Sequence, residues 1–288
     1  MAATEDELVV GTPDPRLRPY VDRYLGYRES APQPLVRREV AGAFVVLILG
    51  WGAPLDVVDP RAALRSAYRV DSFVAGPFDA SCTTSTVGVG IGVELLLTPP
   101  AARRILGVPL GELANRAVAV DRLPDAWLDR LRHRLADAPD WARRFALLDA
   151  ALGARLATSD PVDPRLVRAW RRLAGAGGRV GIGELAEELG WSRRHLSVRF
   201  REEIGLAPKT TARLLRFQRA YATLGHDLAA PGPTSPVPGD PGEPGGWAEL
   251  AVRCGYYDQS HLIREFREFA GATPAALAPA GSHPSNPG

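Results

Sequence analysis

The chain has little of what several classes of protein require. Its two cysteines, Cys82 and Cys254, lie far apart in a sequence of 288 residues, so a framework of disulfide bonds is not expected. No apolar run reaches the roughly 18–20 residues of a transmembrane helix, and the longest, residues 43–49, has the length of a strand. Acidic residues precede the first apolar stretch, which is the wrong charge for a secretory leader. These absences predict a cytoplasmic protein with no membrane partner.

Lysine is almost missing, because Lys209 is the only lysine among 35 basic residues. The arginines are unevenly distributed along the chain. Residues 165–219 contain 13 Lys+Arg against 5 Asp+Glu, an excess of 8, whereas residues 1–160 contain 19 against 20. A near-neutral first part joined to a basic segment predicts a sensor domain joined to a domain that binds a polyanion.

The first part of the chain has the pattern of an antiparallel sheet or barrel. Its segments rich in Val, Thr, Tyr and Phe are short and are separated by Gly-Pro, Ala-Pro and Asp-Pro pairs. Residues 1–12 are expected to be a loose end, and residues 13–29 to begin as a helical turn and continue as a strand. The predicted strands are 36–40, 43–49, 54–58, 65–70, 81–86 and 89–97.

Helices are predicted from residue 99 onward, where Pro99-Pro100 marks a helix start. The segment ATSDPVDP, residues 157–164, is the predicted linker, so the domains are 1–157 and 164–279. Residues 231–246 contain 11 Gly or Pro in 16 positions and predict a mobile loop. Residues 280–288 predict a disordered tail. The other predicted helices are 110–115, 124–137, 140–157, 164–175 and 209–225.

The most informative pattern is a motif that occurs twice. LAEELGWSRRHLSVRFREEIGLAP begins at residue 185, and LAVRCGYYDQSHLIREFREFAGATP begins at residue 250. A shift of 66 positions aligns His195 with His261, but upstream the shift is 65, so the second copy has one extra residue in its turn. Ser192 and Asp258 are the predicted N-caps of the second helices. Each copy therefore predicts a helix–turn–helix unit.

The second helix of each unit has an apolar inner face and a polar outer face. In the first, Leu196 and Phe200 point inward, and in the second, Leu262 and Phe266 do so. Arginine beside short polar residues suits the major groove of DNA, where arginine reads guanine bidentately. The predicted outward residues are Arg194, Ser197, Val198 and Arg201 in the first helix, and Ser260, Ile263, Arg264 and Arg267 in the second. The predicted phosphate contacts are Arg193, Arg199, Lys209 and Arg213.

Over about residues 165–275 the chain resembles the AraC/XylS family of bacterial transcription regulators. The resemblance lies in GWSRRHLSVRFREEIGLAPK…RLLRFQRA, followed by CGYYDQSHLIREFREFAGATP. It implies an α+β protein of two domains: a cupin-like antiparallel sheet or barrel with helices, then an all-α domain whose two helix–turn–helix units enter successive major grooves about 34 Å apart. The groove-facing positions carried over from the family are Arg194, Ser197, Val198, Gln259, Ser260, His261 and Arg264.

Two features depart from the family pattern. Val198 stands where many members have a long polar or basic residue, and the loop 231–246 is longer than the usual connection before the second unit. A metal-dependent cupin needs clustered histidines, but His133 is the only histidine in residues 1–160. No metal and no other cofactor is therefore expected.

The leading interpretation is a sequence-specific DNA-binding transcription regulator that is not an enzyme. Its expected partners are double-stranded DNA, a small-molecule effector at the N-terminal domain, RNA polymerase and a second copy of the chain in a homodimer. One alternative is a DNA alkyl-transfer repair enzyme, which needs an activated cysteine, although Cys82 in DASCTTST has no basic neighbour. Another is a metabolite-binding protein whose repeats have lost DNA affinity, an interpretation to which Val198 and the long loop both point.

Overall fold

The N-terminal half is built on one antiparallel sheet of eight strands in the order β1-β2-β7-β3-β6-β8, with β4 paired to β5 and β7. The computed structural model describes residues 6–225 and 246–278. The longest strands are β2 and β7, which pair along most of their length. The strands are β1 (Glu7–Gly11), β2 (Val21–Glu39), β3 (Val45–Gly50), β4 (Leu55–Val58), β5 (Ala67–Val70), β6 (Phe73–Ala75), β7 (Cys82–Leu97) and β8 (Ala117–Ala119).

Alternation along β3 and β7 gives the sheet two different faces. Val93, Leu95 and Leu97 are buried in an apolar core that includes residues of three helices, α1 (Pro99–Leu106), α2 (Trp127–Ala136) and α3 (Trp141–Thr158). The intervening Glu94 and Leu96 line a cavity on the other face. The same alternation in β3 sends one set of apolar residues to the helices and the other set to the cavity.

Two glycines let α3 approach the sheet. A Cβ atom at Gly26 would lie 2.5 Å from the Trp141 ring, and one at Gly11 would lie 2.6 Å from the Phe145 ring. Because real Cβ atoms do not come that close to a neighbour, a larger residue at either position would push the helix away from β1 and β2.

The C-terminal half is helical in the part of the chain that the structure describes. Its central helix, α7, packs against α4, α6, α8 and α9. Ala41 and Ala43, from the segment between β2 and β3, are buried in the apolar core of these helices. The helices are α4 (Pro164–Gly175), α5 (Ile182–Glu188), α6 (Arg193–Ile204), α7 (Pro208–Thr223), α8 (Gly246–Cys254), α9 (Gln259–Ala270) and α10 (Pro274–Leu277).

The α+β fold predicted from the sequence, an antiparallel sheet followed by an all-helical part, is confirmed. The expected loose end was wrong for residues 7–11, which form β1 against β2. The predicted strands 81–86 and 89–97 are one strand, and strand 36–40 is the end of β2. The helix predicted at 110–115 is only a 3-10 turn, Leu110–Glu112.

Three predictions on organisation are left open. Nearly all of the loop 231–246 and the whole of the tail 280–288 lie outside the described residues. The domain boundaries 1–157 and 164–279 also stay predictions.

Candidate nucleic-acid interface

The first helix–turn–helix unit consists of α5, a short turn and α6. The turn passes through Gly190, whose φ of 66° is a left-handed conformation that favours glycine. The backbone N–H of Trp191 then donates to the carbonyl of Ala186 at 2.9 Å. Ser192 caps α6, since its Oγ accepts from the backbone N–H of His195 at 3.1 Å. The N-cap predicted at Ser192 is therefore confirmed.

The second unit, α8 and α9, repeats this construction. Gly255 has a φ of 84°, and the N–H of Tyr256 donates to the carbonyl of Ala251 at 2.8 Å. Asp258 is the N-cap of α9 and accepts from the N–H of His261 at 2.7 Å. Tyr256 thus corresponds to Trp191, and the extra residue of the second copy is Tyr257, whose exposed fraction is 91%.

The outer face of α6 combines exposed arginines with an exposed valine. Arg194, Arg201 and Val198 are exposed, and Ser197 is half-buried beside them. Among the described residues, none forms an ion pair with Arg194 or Arg201. Their charge is therefore available to an external anion.

The outer face of α9 has the same character. Gln259, Ser260, Arg264 and Arg267 are exposed, and Ile263 is half-buried. Within the described ranges, neither arginine has a carboxylate at ion-pair distance. The two helices therefore present one matched feature, an arginine-bearing outer face with no compensating acid.

His261 differs from the other predicted groove residues because it has partners inside the protein. Its ring packs edge to face against that of Tyr256, with the ring centroids 5.2 Å apart. The rings of His195 and Trp191 pack in the same way, with their centroids 4.7 Å apart. Its Nε2 lies 3.3 Å from Oε1 of Glu265. Base contact by His261 stays a prediction.

The predicted phosphate contacts fall into two groups. Lys209 and Arg193 are exposed, and Arg193 lies over Gly183 of α5. Arg199 is bound on its own helix, where its Nη1 donates to Oε2 of Glu202 at 2.6 Å. Arg213 is turned into the protein, where it pairs with two carboxylates of α9, so the phosphate role expected for it is not supported.

A buried carboxylate that the sequence analysis missed holds α9 against α7. Glu265 has an exposed fraction of 1% and accepts from Arg213 Nε at 2.7 Å. Arg216 Nη2 lies 3.5 Å from the same oxygen. Burial, and then Glu265, raise the pKa of the Tyr256 hydroxyl, which stays protonated beside this cluster. The signal in the sequence was an arginine pair on the connecting helix, one turn apart.

The N-terminal half contacts both outer-face helices near their C-terminal ends. Arg103 of α1 donates to Glu203 of α6 at 2.7 Å. At α9, the N–H of Ala41 donates to the carbonyl of Phe269 at 2.8 Å, and Arg38 donates to that of Gly271 at 3.0 Å. Arg194 and Gln259 lie at the opposite, N-terminal ends of α6 and α9.

A cavity of about 560 Å³ lies on the sheet face opposite α1–α3. It is lined mainly by apolar side chains of the strands, and α7 contributes Gln218 and Tyr221. Its size is in the range of small-molecule sites. Sequence reasoning missed Gln218, although a polar residue on the apolar stripe of α7 was a visible signal.

The cavity also contains Cys82, the residue on which the alkyl-transfer alternative depends. Burial, followed by the charges of Glu39 and Asp59, raises the pKa of this thiol to about 12. A thiol nucleophile needs the opposite shift. In the described part of the chain, no group of three or more His, Cys, Asp and Glu residues could hold a metal ion.

No protein-family model and no curated protein matches the chain. Among solved structures, the chain is similar to ToxT from Vibrio cholerae O395, at 10% identity and a TM-score of 0.45, over 88% of this chain and 96% of that one. ToxT from Vibrio cholerae strain SCE256 with an unsaturated fatty acid bound matches at 9% identity and a TM-score of 0.45, over 96% and 97%. The AraC-like transcriptional activator CuxR matches at 14% identity and a TM-score of 0.26, over 75% and 87%.

No helix among the described residues is long and apolar enough to cross a membrane.

Proposed function

We propose that the chain is a sequence-specific DNA-binding transcription regulator. The observation that carries the proposal is the duplicated unit. It has two capped helices with the same turn geometry, each with an exposed arginine face that no acid of the described residues neutralises. One such helix is common on any surface, but two built alike in one domain suit two major grooves of one duplex, about 34 Å apart.

In this proposal the outer faces read bases and the flanking cations bind phosphates. Arg194 and Arg264 are the candidates for bidentate contacts to guanine, and Gln259 for a contact to adenine. Ser197, Ser260 and His261 add short-range polar contacts, and Val198 suits a thymine methyl group. The candidates for phosphate contacts are Arg193, Arg199, Arg201, Lys209 and Arg267.

We also infer that a small molecule in the cavity controls DNA binding. Gln218 and Tyr221 of α7 line the cavity, and α7 packs against both outer-face helices. Arg38, at the edge of the same cavity, donates to the end of α9. A ligand that shifts these side chains changes the energy of one arrangement of the two units relative to another, which is the requirement for coupling two sites.

Neither alternative function has comparable support. Alkyl transfer requires a reactive thiolate, and the raised pKa of Cys82 keeps that thiol neutral. A protein that has lost DNA affinity has no need for unpaired arginines on two matched helices, and α6 and α9 each keep at least two.

The test is selection of genomic fragments by the purified full-length chain, followed by gel shifts on the retained sequences from about 50 to 200 mM salt. Five phosphate contacts predict a log–log slope of affinity against salt concentration of about −4.5. The double variant Arg194→Ala/Arg264→Ala should bind the retained fragments no more tightly than other DNA. Failure to enrich any sequence, or an affinity that does not change with salt, would exclude the proposal.

A further inference from the structure

The end of the cavity next to α7 contains a carboxylate without a cation. Glu39 is half-buried, lines the cavity and accepts a hydrogen bond from Thr84 Oγ1 at 2.8 Å. Within residues 6–225 and 246–278, no arginine, lysine or histidine forms an ion pair with it. Burial, and then the negative charge of Glu39, raise the pKa of the neighbouring Tyr221 hydroxyl.

A second acceptor at the same end also lacks a partner. Gln218 has an exposed fraction of 7%, and its Oε1 is buried without a hydrogen bond. Gln218 lines the cavity one turn before Tyr221 on α7. Because a buried acceptor without a hydrogen bond is destabilising, the position favours a ligand that donates a hydrogen bond there.

The other charges of the cavity are largely compensated, and their balance is negative. Its lining contains four acids, Glu29, Glu39, Asp71 and Glu94, against Arg37 and Arg38. Arg37 pairs with Glu29, and Asp71 pairs with Arg132 at 3.2 Å. Arg38 is exposed and donates to Gly271. With Asp71 compensated by Arg132, the cavity keeps a net charge of −1, which disfavours an organic acid.

Aromatic and aliphatic side chains form the remaining walls. Phe44, Phe78 and Tyr221 line the cavity together with Gln218, and strands β3 and β7 contribute aliphatic residues. Aromatic faces attract a cation, most strongly where water is excluded, and they also pack against the apolar part of a ligand. A sugar or another strongly polar ligand would leave most of its hydrogen-bonding groups against apolar walls.

We propose that the cavity binds an organic amine, with its ammonium group between the Glu39 carboxylate and the Gln218 carboxamide oxygen and its apolar body against the strands. The inference rests on the proposed function only in treating this ligand as the effector. Because the ammonium group would contact Gln218, its binding adds a direct contact to α7, the helix that supports both DNA-reading units.

The test compares three ligands that share one skeleton: 4-phenylbutylamine, 4-phenylbutanol and 4-phenylbutyrate. Binding to the full-length chain is measured by isothermal titration calorimetry at pH 7. The amine should bind at least about tenfold more tightly than the alcohol, and the acid should bind most weakly. Equal affinities, a preference for the acid or no saturable binding of the amine would each overturn the proposal.

Two variants locate the ammonium group. Glu39→Gln keeps the shape of the side chain and should lower amine affinity by about tenfold, while affinity for the alcohol stays the same. Gln218→Met should lower amine affinity by several-fold. Glu7→Gln, an exposed carboxylate of β1 away from the cavity, is the matched control and should change neither affinity. Binding of the alcohol shows that the cavity of a variant is intact. If Glu39→Gln leaves the ratio of amine affinity to alcohol affinity unchanged, the proposed position of the ammonium group is wrong.

Gel shifts with and without the amine separate this inference from the proposed function. Amine binding that leaves DNA affinity unchanged supports the site and contradicts its effector role. Specific DNA binding by a chain that shows no preference for the amine contradicts the site and supports the regulator.

Discussion

Arg213 of α7 donates through Nε to the buried Oε1 of Glu265 on α9 at 2.7 Å. The pair links α9 to the central helix, and a second guanidinium of α7, that of Arg216, lies 3.5 Å from the same oxygen. The other carboxylate oxygen of Glu265 is buried and has no hydrogen-bond partner. A buried charge held this way depends strongly on its partners, so its removal is a test of how α9 is held.

Glu265→Ala is expected to lower the free energy of unfolding by about 3 kcal/mol, because two partly buried guanidinium groups lose their carboxylate. Urea denaturation measures the loss. Glu268→Ala, which removes the exposed second partner of Arg213, is the matched control and should cost less than about 1 kcal/mol. Equal losses in the two variants would contradict the assignment of Glu265 as the residue that holds α9.

Arg264 and Lys209 should respond differently when each is replaced by alanine. Arg264→Ala is expected to cost about 1–3 kcal/mol, and to relax the preference at one base pair, because its side chain is exposed on the outer face of α9. Lys209→Ala should weaken binding to all sequences alike and reduce the salt slope by about 1. Gel shifts on single-base variants of a selected site distinguish the two, and uniform weakening by Arg264→Ala would make it a phosphate contact.

The thiol of Cys82 should be almost unreactive in the native protein. With a pKa of about 12, the thiolate fraction at pH 8 is about a thousandfold lower than that of a thiol with the reference value of 9.0. Because burial disfavours the charged thiolate, the thiolate fraction grows as the pH rises. The alkylation rate should therefore rise about tenfold for each pH unit between 8 and 10. Mass spectrometry of iodoacetamide-treated protein checks this, with urea-unfolded protein as the control. Alkylation at the unfolded rate would restore the alkyl-transfer alternative.

Local features of the fold could be predicted from the sequence. Ser192 and Asp258 cap their helices as expected, because capping depends on residues three apart. The extra residue of the second turn was also visible as a change of shift between the repeats, and it is Tyr257. Periodicity and cap chemistry act over a few residues, and a single sequence contains them in full.

Features made by residues distant in sequence could not be predicted in the same way. Strand β1 exists because Glu7–Gly11 pairs with residues 13 to 21 positions away in β2. The arginine partners of Glu265 lie 49 and 52 positions before it. Glu39 lines the cavity from the first half of the chain, and Gln218 lines it from the second half. The local sequence pattern does not predict which helices and strands pack against each other. The cavity and its charged residues could therefore be identified only from the folded structure.

Hydroxyl-radical footprinting of the full-length chain on a selected genomic site is the most direct test of the central claim, that α6 and α9 read one duplex together. The account predicts two protected patches on one face, about 10 base pairs apart. Arg194→Ala should weaken one patch, and Arg264→Ala the other. A single patch that both variants weaken equally, or protection with no sequence preference, would contradict the account.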